Sequence, residues 1–245
     1  MEWQDEGLVL ATRRHGERDA ILEVMTEGRG RHLGLVKGGR SSRIAPMLQP
    51  GNRVALTWRA RLEEHLGTFS AETLVARAGL VLASPLALHA VNHLGLLLRL
   101  LPEREPHPHV YSAADALCAL AGEPPVLASM LVRFELMILA ELGFGLALEQ
   151  CAATGQTGDL VYVSPKTGRA VSRSAGEAYA DRLFRLPPFL GQARALNPVP
   201  DLADILNGFK LAAYFMDRHV LEPRGLPPSQ PRMAILALLN RELAS

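Results

Sequence analysis

The sequence predicts an α+β protein: a small N-terminal barrel of five short strands, followed by a helical domain that carries a small β-hairpin insert. Three patterns lead to this prediction. Alternating segments bounded by glycine-containing turns fill the first 80 residues, apolar helical segments begin near residue 84, and a strand–turn–strand pattern lies within 151–176. The 245 residues, 48% of them hydrophobic, can build a sizeable core. No apolar run approaches the roughly 18 uncharged residues that a membrane span needs.

Five segments of the N-terminal region have the turn boundaries and the composition of short strands. They are residues 7–14, 19–26, 31–37, 53–61 and 65–75. In the fourth segment, Val54, Leu56 and Trp58 alternate with polar residues and share one face. Five strands in so short a stretch are typical of a Greek-key barrel of the oligonucleotide-binding (OB) kind. We therefore assign residues 1–80 to an OB-fold domain.

The helical domain is predicted to occupy residues 81–245. Ser84 and Pro85 can cap and start a helix that ends before Pro102. Four more helices are predicted at 111–121, 126–142, 201–221 and 230–243. The 126–142 segment is apolar nearly all round, so we expect it at the buried centre of a helical bundle.

The basic residues of the barrel are unevenly distributed. Residues 1–61 contain eleven Lys and Arg against seven acids, and residues 28–61 contain eight basic residues with no Asp or Glu. Such a block indicates a polyanion partner, although a solvated basic face would give the same pattern. The residues predicted to contact phosphates are Arg31, Lys37, Arg40, Arg43, Arg53, Arg59 and Arg61. Aromatic residues are scarce here, so we expect charge to matter more than base stacking.

The motifs of common enzyme classes are absent from the sequence. It has no phosphate-binding loop, no dinucleotide fingerprint and no nucleophile elbow. His89 and His93 have a spacing that suits a metal, but a third ligand at matching spacing is missing. Cys118 and Cys151 provide no disulfide framework, which fits a reducing cytoplasm, and the acidic N-terminal residues do not resemble a secretory signal. We therefore expect a cytoplasmic protein that is not an enzyme and needs no cofactor.

An ordered set of short motifs resembles the RecO family of bacterial recombination mediator proteins. These motifs are EGLVL at 6–10, GERD at 16–19, LVKGGR at 35–40, LQP at 48–50, RFE at 133–135 and ELGF at 141–144. None of them is decisive alone, but their order and spacing span nearly the whole chain. The resemblance implies an OB barrel, a helical domain and a non-enzymatic role in homologous-recombination repair through the RecF pathway, as part of the response to DNA damage (SOS response).

The resemblance also implies partners. Family members bind single- and double-stranded DNA and anneal complementary strands. Together with RecR they help to load the RecA recombinase onto DNA covered by single-stranded DNA-binding protein, whose C-terminal tail they bind. A cytoplasmic, nucleoid-associated location follows. The alternative is a protein-interaction adaptor whose barrel binds no nucleic acid, and the acid-free basic block favours the DNA-binding interpretation.

The insert at 151–176 departs from the pattern of many relatives, which carry a four-cysteine zinc module there. Strands are predicted on both sides of a turn, at 159–163 and 169–173. The four ligand positions correspond to Cys151, Thr154, Ser172 and Ala175. One thiol of four cannot close a tetrahedral site, so we expect a degenerate module without metal.

The tail of the single-stranded DNA-binding protein is acidic and apolar, so its site should be an apolar pocket with arginines at the rim. Arg133 lies beside Met130, Phe134 and Met137 on the predicted 126–142 helix. The residues predicted to bind the tail are Arg133, Arg218, Arg224 and Arg232. Structural salt bridges with Glu135, Asp217 or Glu222 are the alternative for each of these arginines.

Overall fold

The computed structural model describes residues 1–191 and 200–244. The chain forms two compact units, residues 1–124 and 125–245, each of which is described by itself. The first unit extends beyond the predicted domain boundary at residue 80, because two helices that follow the barrel pack against its first strand. Among the described residues, no helix combines the length and the apolar character needed to cross a bilayer.

The first unit contains a closed barrel of five strands, as predicted. The strands are β1 (Glu2–His15), β2 (Asp19–Thr26), β3 (Gly30–Val36), β4 (Arg53–Arg59) and β5 (Thr68–Val75). Their order around the barrel is β1-β2-β3-β5-β4, and β1 closes it by pairing antiparallel with both β2 and β4. This is the Greek-key arrangement of an OB fold. Strand β1 starts earlier than predicted because Glu2–Gly7 pairs with β4.

The barrel core comes from the inward-facing side of each strand. Val54, Leu56 and Trp58 of β4 are buried, as their alternation predicts. They pack with Leu22, Val24, Val36 and Phe69 from the neighbouring strands. A Cβ at Gly34 would lie 2.4 Å from the Phe69 ring, so the strand needs a glycine at this position.

Three helices complete the first unit: α1 (Ala78–Ala83), α2 (Pro85–Leu98) and α3 (Pro108–Ala119). Ser84 accepts a hydrogen bond from the Ala87 N–H at 3.2 Å, so it caps α2 as predicted. Helix α1 is not predicted by the sequence pattern. The side-chain oxygen of Asn52 accepts from the N–H groups of Arg77 and Ala78 at 2.8 and 3.0 Å, which fixes the start of α1.

The second unit combines helices with a small sheet. Its elements are α4 (Pro124–Glu141), β6 (Leu160–Val163), β7 (Ala170–Ser172), α5 (Arg173–Gly176), β8 (Phe184–Arg185), α6 (Leu202–Met216) and α7 (Gln230–Leu243). The predicted hairpin is β6 and β7, and β8 adds a third strand in the order β7-β6-β8. The helix predicted at 201–221 is divided, because α6 passes into a π turn at Asp217–Leu221.

Helix α4 is only partly enclosed by the core. Leu131, Phe134 and Ile138 are buried, as expected for a central helix. Met130 and Met137 are half-buried and line a cavity instead. The apolar character of α4 on more than one face therefore serves both a core and a cavity wall.

His32 of β3 is enclosed by aromatic rings at one end of the barrel. Its ring centroid lies 5.1 Å from that of Trp3, 5.2 Å from that of Trp58 and 5.9 Å from that of Phe69. Burial, with a smaller contribution from the positive charge of Arg104, lowers the pKa of His32 to about 4. The folded protein therefore holds this ring neutral where the unfolded chain takes up a proton.

We expect His32 to make the protein less stable in mild acid. A lowered pKa contributes stability that is complete above the unfolded value near 6.5 and is lost as the pH falls towards about 4, by up to about 3 kcal/mol. In His32→Phe, the free energy of unfolding in urea should depend less on pH in this range. His15→Gln, an exposed control, should behave like the parent. An NMR titration midpoint of the parent His32 ring near its ordinary value would contradict the prediction.

Candidate nucleic-acid interface

Three of the seven basic residues predicted to contact phosphates are held in ion pairs. They are Arg31, Arg53 and Arg59, whose guanidinium nitrogens lie 3.2, 3.3 and 2.8 Å from carboxylate oxygens of Glu23, Asp115 and Glu2. These acids lie outside the acid-free stretch of sequence and reach it from β2, α3 and β1. The fold therefore brings acidic residues from outside the 28–61 stretch next to these arginines. Counting charges within 28–61 alone misses these ion pairs.

The other four predicted residues, Lys37, Arg40, Arg43 and Arg61, are exposed and form no ion pair within the described part of the chain. Three of them follow β3, next to the β1–β2 turn. The Arg40 guanidinium donates to the carbonyls of Gly16 and Glu17 at 3.1 and 2.6 Å. The backbone N–H of Arg40 also donates to the Arg18 carbonyl at 3.0 Å. These bonds hold the segment after β3 against the β1–β2 turn.

The β1–β2 hairpin adds arginines that the sequence analysis did not select. Arg14 and Arg18 are exposed and have no acidic partner among the described residues. The signal that could have found them is the pairing of the predicted strands 7–14 and 19–26, which places their turn beside the end of the third strand. We call Arg14, Arg18, Lys37, Arg40 and Arg43 the basic rim.

The basic rim has the chemistry of a phosphate-binding surface. It contributes five positive charges, and the β1–β2 hairpin contributes two acidic residues close by in the sequence, Glu17 and Asp19. Asp19 already accepts a hydrogen bond from the Gly38 N–H at 2.8 Å. Guanidinium groups match phosphate oxygens in pairs of hydrogen bonds. Trp58 and Phe69 are buried in the barrel and offer no stacking surface to a base.

The second unit contains an apolar cavity of about 630 Å³, a volume within the usual range for ligand pockets. It is lined by Met130, Arg133, Leu136, Met137, Ala140, Leu146, Leu148, Glu149, Leu190 and Gly191. Arg133 donates to the carbonyl of Phe189, and its guanidinium carbon lies 5.9 Å from the centroid of the Phe189 ring. Arg133 is therefore fixed on the wall of an apolar cavity, and its binding of the tail stays a prediction.

The other three arginines predicted to bind the tail lie outside the lining of this cavity. Arg218 donates to the Tyr214 hydroxyl at 2.9 Å, and Arg224 is exposed after the π turn. Arg232 donates to both carboxylate oxygens of Glu135 at 2.7 and 3.1 Å. The salt bridge with Glu135, which the sequence left open as an alternative, is thus the role that the structure gives Arg232.

Two of the four positions that the sequence analysis compares with zinc ligands, Cys151 and Ser172, are in contact in the insert. Cys151 accepts a hydrogen bond from the Ser172 N–H at 3.3 Å, and its thiol lies 3.4 Å from the Ser172 hydroxyl. Burial raises the pKa of the Cys151 thiol, but hydrogen bonds with Ser172 and Thr154 outweigh this effect and lower it to about 6. Within the described ranges, no cluster of three or more His, Cys, Asp or Glu could hold a metal ion. The metal-free state stays a prediction.

We expect Arg232→Ala to destabilise the protein by about 3–5 kcal/mol, since it removes the ion pair that Arg232 forms with the Glu135 carboxylate, which is 1% exposed. Arg218→Ala is the matched control, because Arg218 is exposed and bonds to a neutral hydroxyl. Its effect should stay within about 0.5 kcal/mol. Urea unfolding of both variants gives the comparison, and equal losses would contradict a structural role for Arg232.

The barrel and the basic rim define an OB-fold protein with a cationic surface and a helical unit that carries an apolar cavity. Comparison with known proteins identifies the family. The family model for the recombination protein O N terminal matches residues 1–77, and the model for its C terminal matches residues 87–227. The chain therefore belongs to the RecO family, and its role lies in recombination repair of DNA.

Curated relatives match over nearly their full length. The DNA repair protein RecO of Methylobacterium nodulans is 54% identical over 240 residues, which cover 97% of this chain and 98% of the relative. The protein of the same name from Bradyrhizobium diazoefficiens is 51% identical over 244 residues, which cover 100% and 97%. The two family models lie on either side of residue 80, whereas the first compact unit ends at residue 124. The domain boundary at residue 80 therefore remains a proposal.

Proposed function

We propose that this protein is a recombination mediator that binds single- and double-stranded DNA through the basic rim and anneals complementary strands. With RecR it helps to load RecA onto DNA covered by single-stranded DNA-binding protein. Membership of the RecO family supports this role. The observation that carries the DNA-binding part is the group of exposed basic side chains at the β1–β2 turn, which have no acidic partners in the described part of the chain.

We propose that fewer of the predicted basic residues contact DNA than the sequence selects. Arg31, Arg53 and Arg59 already neutralise carboxylates, so they add less to the attraction of phosphates than their number suggests. The basic rim provides the main contacts. Arg61 extends them onto the β4–β5 loop, which Arg104 holds by donating to the carbonyl of His65 at 3.1 Å. In OB folds, the β1–β2 and β4–β5 loops are the ones that bind oligonucleotides.

The same geometry fits strand annealing. A strand held through its phosphates by arginines keeps its bases free of stacking on Trp58 and Phe69, because both rings are enclosed in the barrel. Bases that face away from the protein can pair with a complementary strand. Binding should therefore tolerate any base sequence and weaken steeply with salt.

We expect Lys37→Gln/Arg43→Gln to bind single-stranded DNA with a weaker salt dependence than the parent. Each phosphate contact contributes about 0.7 to the slope of log K against log salt for single strands, so loss of two contacts should flatten it by about 1.4. These two residues are chosen because neither bonds to the β1–β2 turn, unlike Arg40. Fluorescence anisotropy of a labelled oligothymidylate over a range of salt provides the measurement.

The control variant removes two positive charges elsewhere. Arg173 and Arg182 are exposed and lie in the second unit, so Arg173→Gln/Arg182→Gln should keep the slope of the parent. Equal slopes for the parent and Lys37→Gln/Arg43→Gln would exclude the basic rim as the contact surface. A parent that binds no DNA at low salt would favour the adaptor function instead.

For the tail of the single-stranded DNA-binding protein, we propose the cavity of the second unit. Leu136, Met137 and Leu146 offer apolar surface to the end of the peptide, and Arg133 offers a cation to its carboxylates. Glu149 also lines the cavity, so the acidic part of the peptide should lie towards Arg133. Arg218, Arg224 and Arg232 are less suitable, because they do not contribute to the lining.

We expect Arg133→Ala to bind a fluorescent peptide with the sequence of that tail at least about tenfold more weakly than the parent. A hydrogen bond to a charged group contributes about 1.5–3 kcal/mol, and 1.4 kcal/mol corresponds to about tenfold in affinity. Arg218→Ala should bind like the parent. Circular dichroism and the urea midpoint show whether the variant stays folded, since Arg133 also bonds to Phe189. Unchanged affinity in folded Arg133→Ala would place the tail elsewhere.

A further inference from the structure

A second group of arginines surrounds a cavity on the outer surface of the barrel. Arg13 of β1, Glu23 of β2, Arg31 of β3 and Arg99 at the end of α2 line this cavity, whose volume is about 370 Å³. Arg13 and Arg99 are not among the residues that the sequence selects for DNA binding. Three neighbouring strands and a helix end thus bring three guanidinium groups to one place, around one carboxylate.

Glu23 holds two of these arginines in fixed positions. Arg99 donates from Nε to both carboxylate oxygens at 3.0 and 3.1 Å and from Nη2 at 2.6 Å. Arg31 donates from Nη1 at 3.2 Å. Burial raises the pKa of the Glu23 carboxyl, but the bonds and charges of Arg99 and Arg31 together lower it below its ordinary value. The carboxylate therefore stays ionised at neutral pH, and its oxygens are already occupied.

Glu23 does not neutralise all the positive charge around this cavity, nor does it occupy every guanidinium N–H group. Arg13 is exposed and has no ion-pair partner in the part of the chain that the structure describes. The buried Nε–H of Arg31 donates to no acceptor there. Glu103 approaches Arg31 only to 3.9 Å and is itself 42% exposed. The lining of the cavity thus has three positive charges and one negative charge.

We propose that this cavity binds a phosphate group of a nucleic-acid backbone, as a second contact zone next to the basic rim. Arg13 contacts the phosphate directly, while Glu23 positions Arg31 and Arg99 so that their charge faces the cavity. Arg13 and Arg14 of the rim are consecutive in β1, so their side chains point to opposite faces of the strand, and a bound nucleic-acid strand must pass round the edge of the β1–β2 hairpin to contact both. The proposal rests on the proposed DNA binding and extends it to β1 and α2.

The first test is the salt dependence of single-stranded DNA binding in Arg13→Gln. Loss of one phosphate contact should flatten the slope of log K against log salt by about 0.7. Arg13→Lys restores the charge and should restore the slope, although a lysine lacks the paired hydrogen bonds of a guanidinium. Arg182→Gln, an exposed arginine in the second unit, is the control and should leave the slope unchanged.

The second test follows the side-chain Nε–H signals of arginine in the ¹⁵N-labelled parent, with inorganic phosphate and oligothymidylate as separate probes. We expect the oligonucleotide to shift the Arg13 signal, and inorganic phosphate to do so only at much higher concentration. Saturation by inorganic phosphate with no response to the oligonucleotide would overturn the assignment to a nucleic-acid backbone and leave a site for a small free anion. An Arg13 signal that responds to neither probe would overturn the site itself.

The two proposals can fail separately. If the parent binds DNA with a salt dependence that Lys37→Gln/Arg43→Gln flattens, but Arg13→Gln keeps the slope of the parent, only the second contact zone is overturned. If the parent binds no DNA, the DNA-binding function fails and the backbone assignment fails with it.

Discussion

The pairing of β1 with two partners is the constraint on which the rest of the first unit depends. Its first half pairs with β4 and closes the barrel, and its second half pairs with β2 and extends beyond β4. The extension carries the β1–β2 turn to the segment that follows β3, where Arg40 bonds to its carbonyls. The basic rim exists because of this extension. The same pairing brings Trp3 opposite Trp58, where the half-buried Trp3 ring stacks on the buried Trp58 ring.

Regular alternation and turn residues made most of the barrel predictable. The turn residues predict the second strand with its observed bounds, and the alternation in β4 predicts its buried face. The first six residues were harder, because Glu2–Gly7 is largely polar and is a strand only through its pairing with β4. Helix α1 depends on Asn52, whose side chain bonds to the backbone of residues far along the chain. Such contacts across the fold leave no local pattern in the sequence.

The candidate sites show the same difference between local and distant signals. Arg133 could be selected from sequence because a charge on an apolar helix needs either a partner or a function. Arg232 could not be separated from it, because its partner Glu135 is 97 residues away. The acid-free stretch 28–61 does contain basic residues of the rim. Arg14 and Arg18 lie before this stretch in the sequence, so only strand pairing shows that they belong to the same surface. Charge along the sequence predicts that a polyanion binds, whereas the fold decides which arginines are available to it.

Ion pairing on the barrel also bears on how strongly a mediator should hold DNA. A protein that passes a strand to another protein must bind it and then release it, and most differences in affinity between related complexes lie in the rate of dissociation. Glu2, Glu23 and Asp115 neutralise three arginines on this surface and so limit its attraction for phosphates. Because Trp58 is enclosed in the barrel, bases cannot stack on its ring, and stacking contributes about 1–3 kcal/mol per base where it occurs. For the proposed function, this arrangement predicts a moderate, salt-sensitive attraction to the DNA backbone, which would leave the bases accessible to a second strand and allow the bound strand to leave.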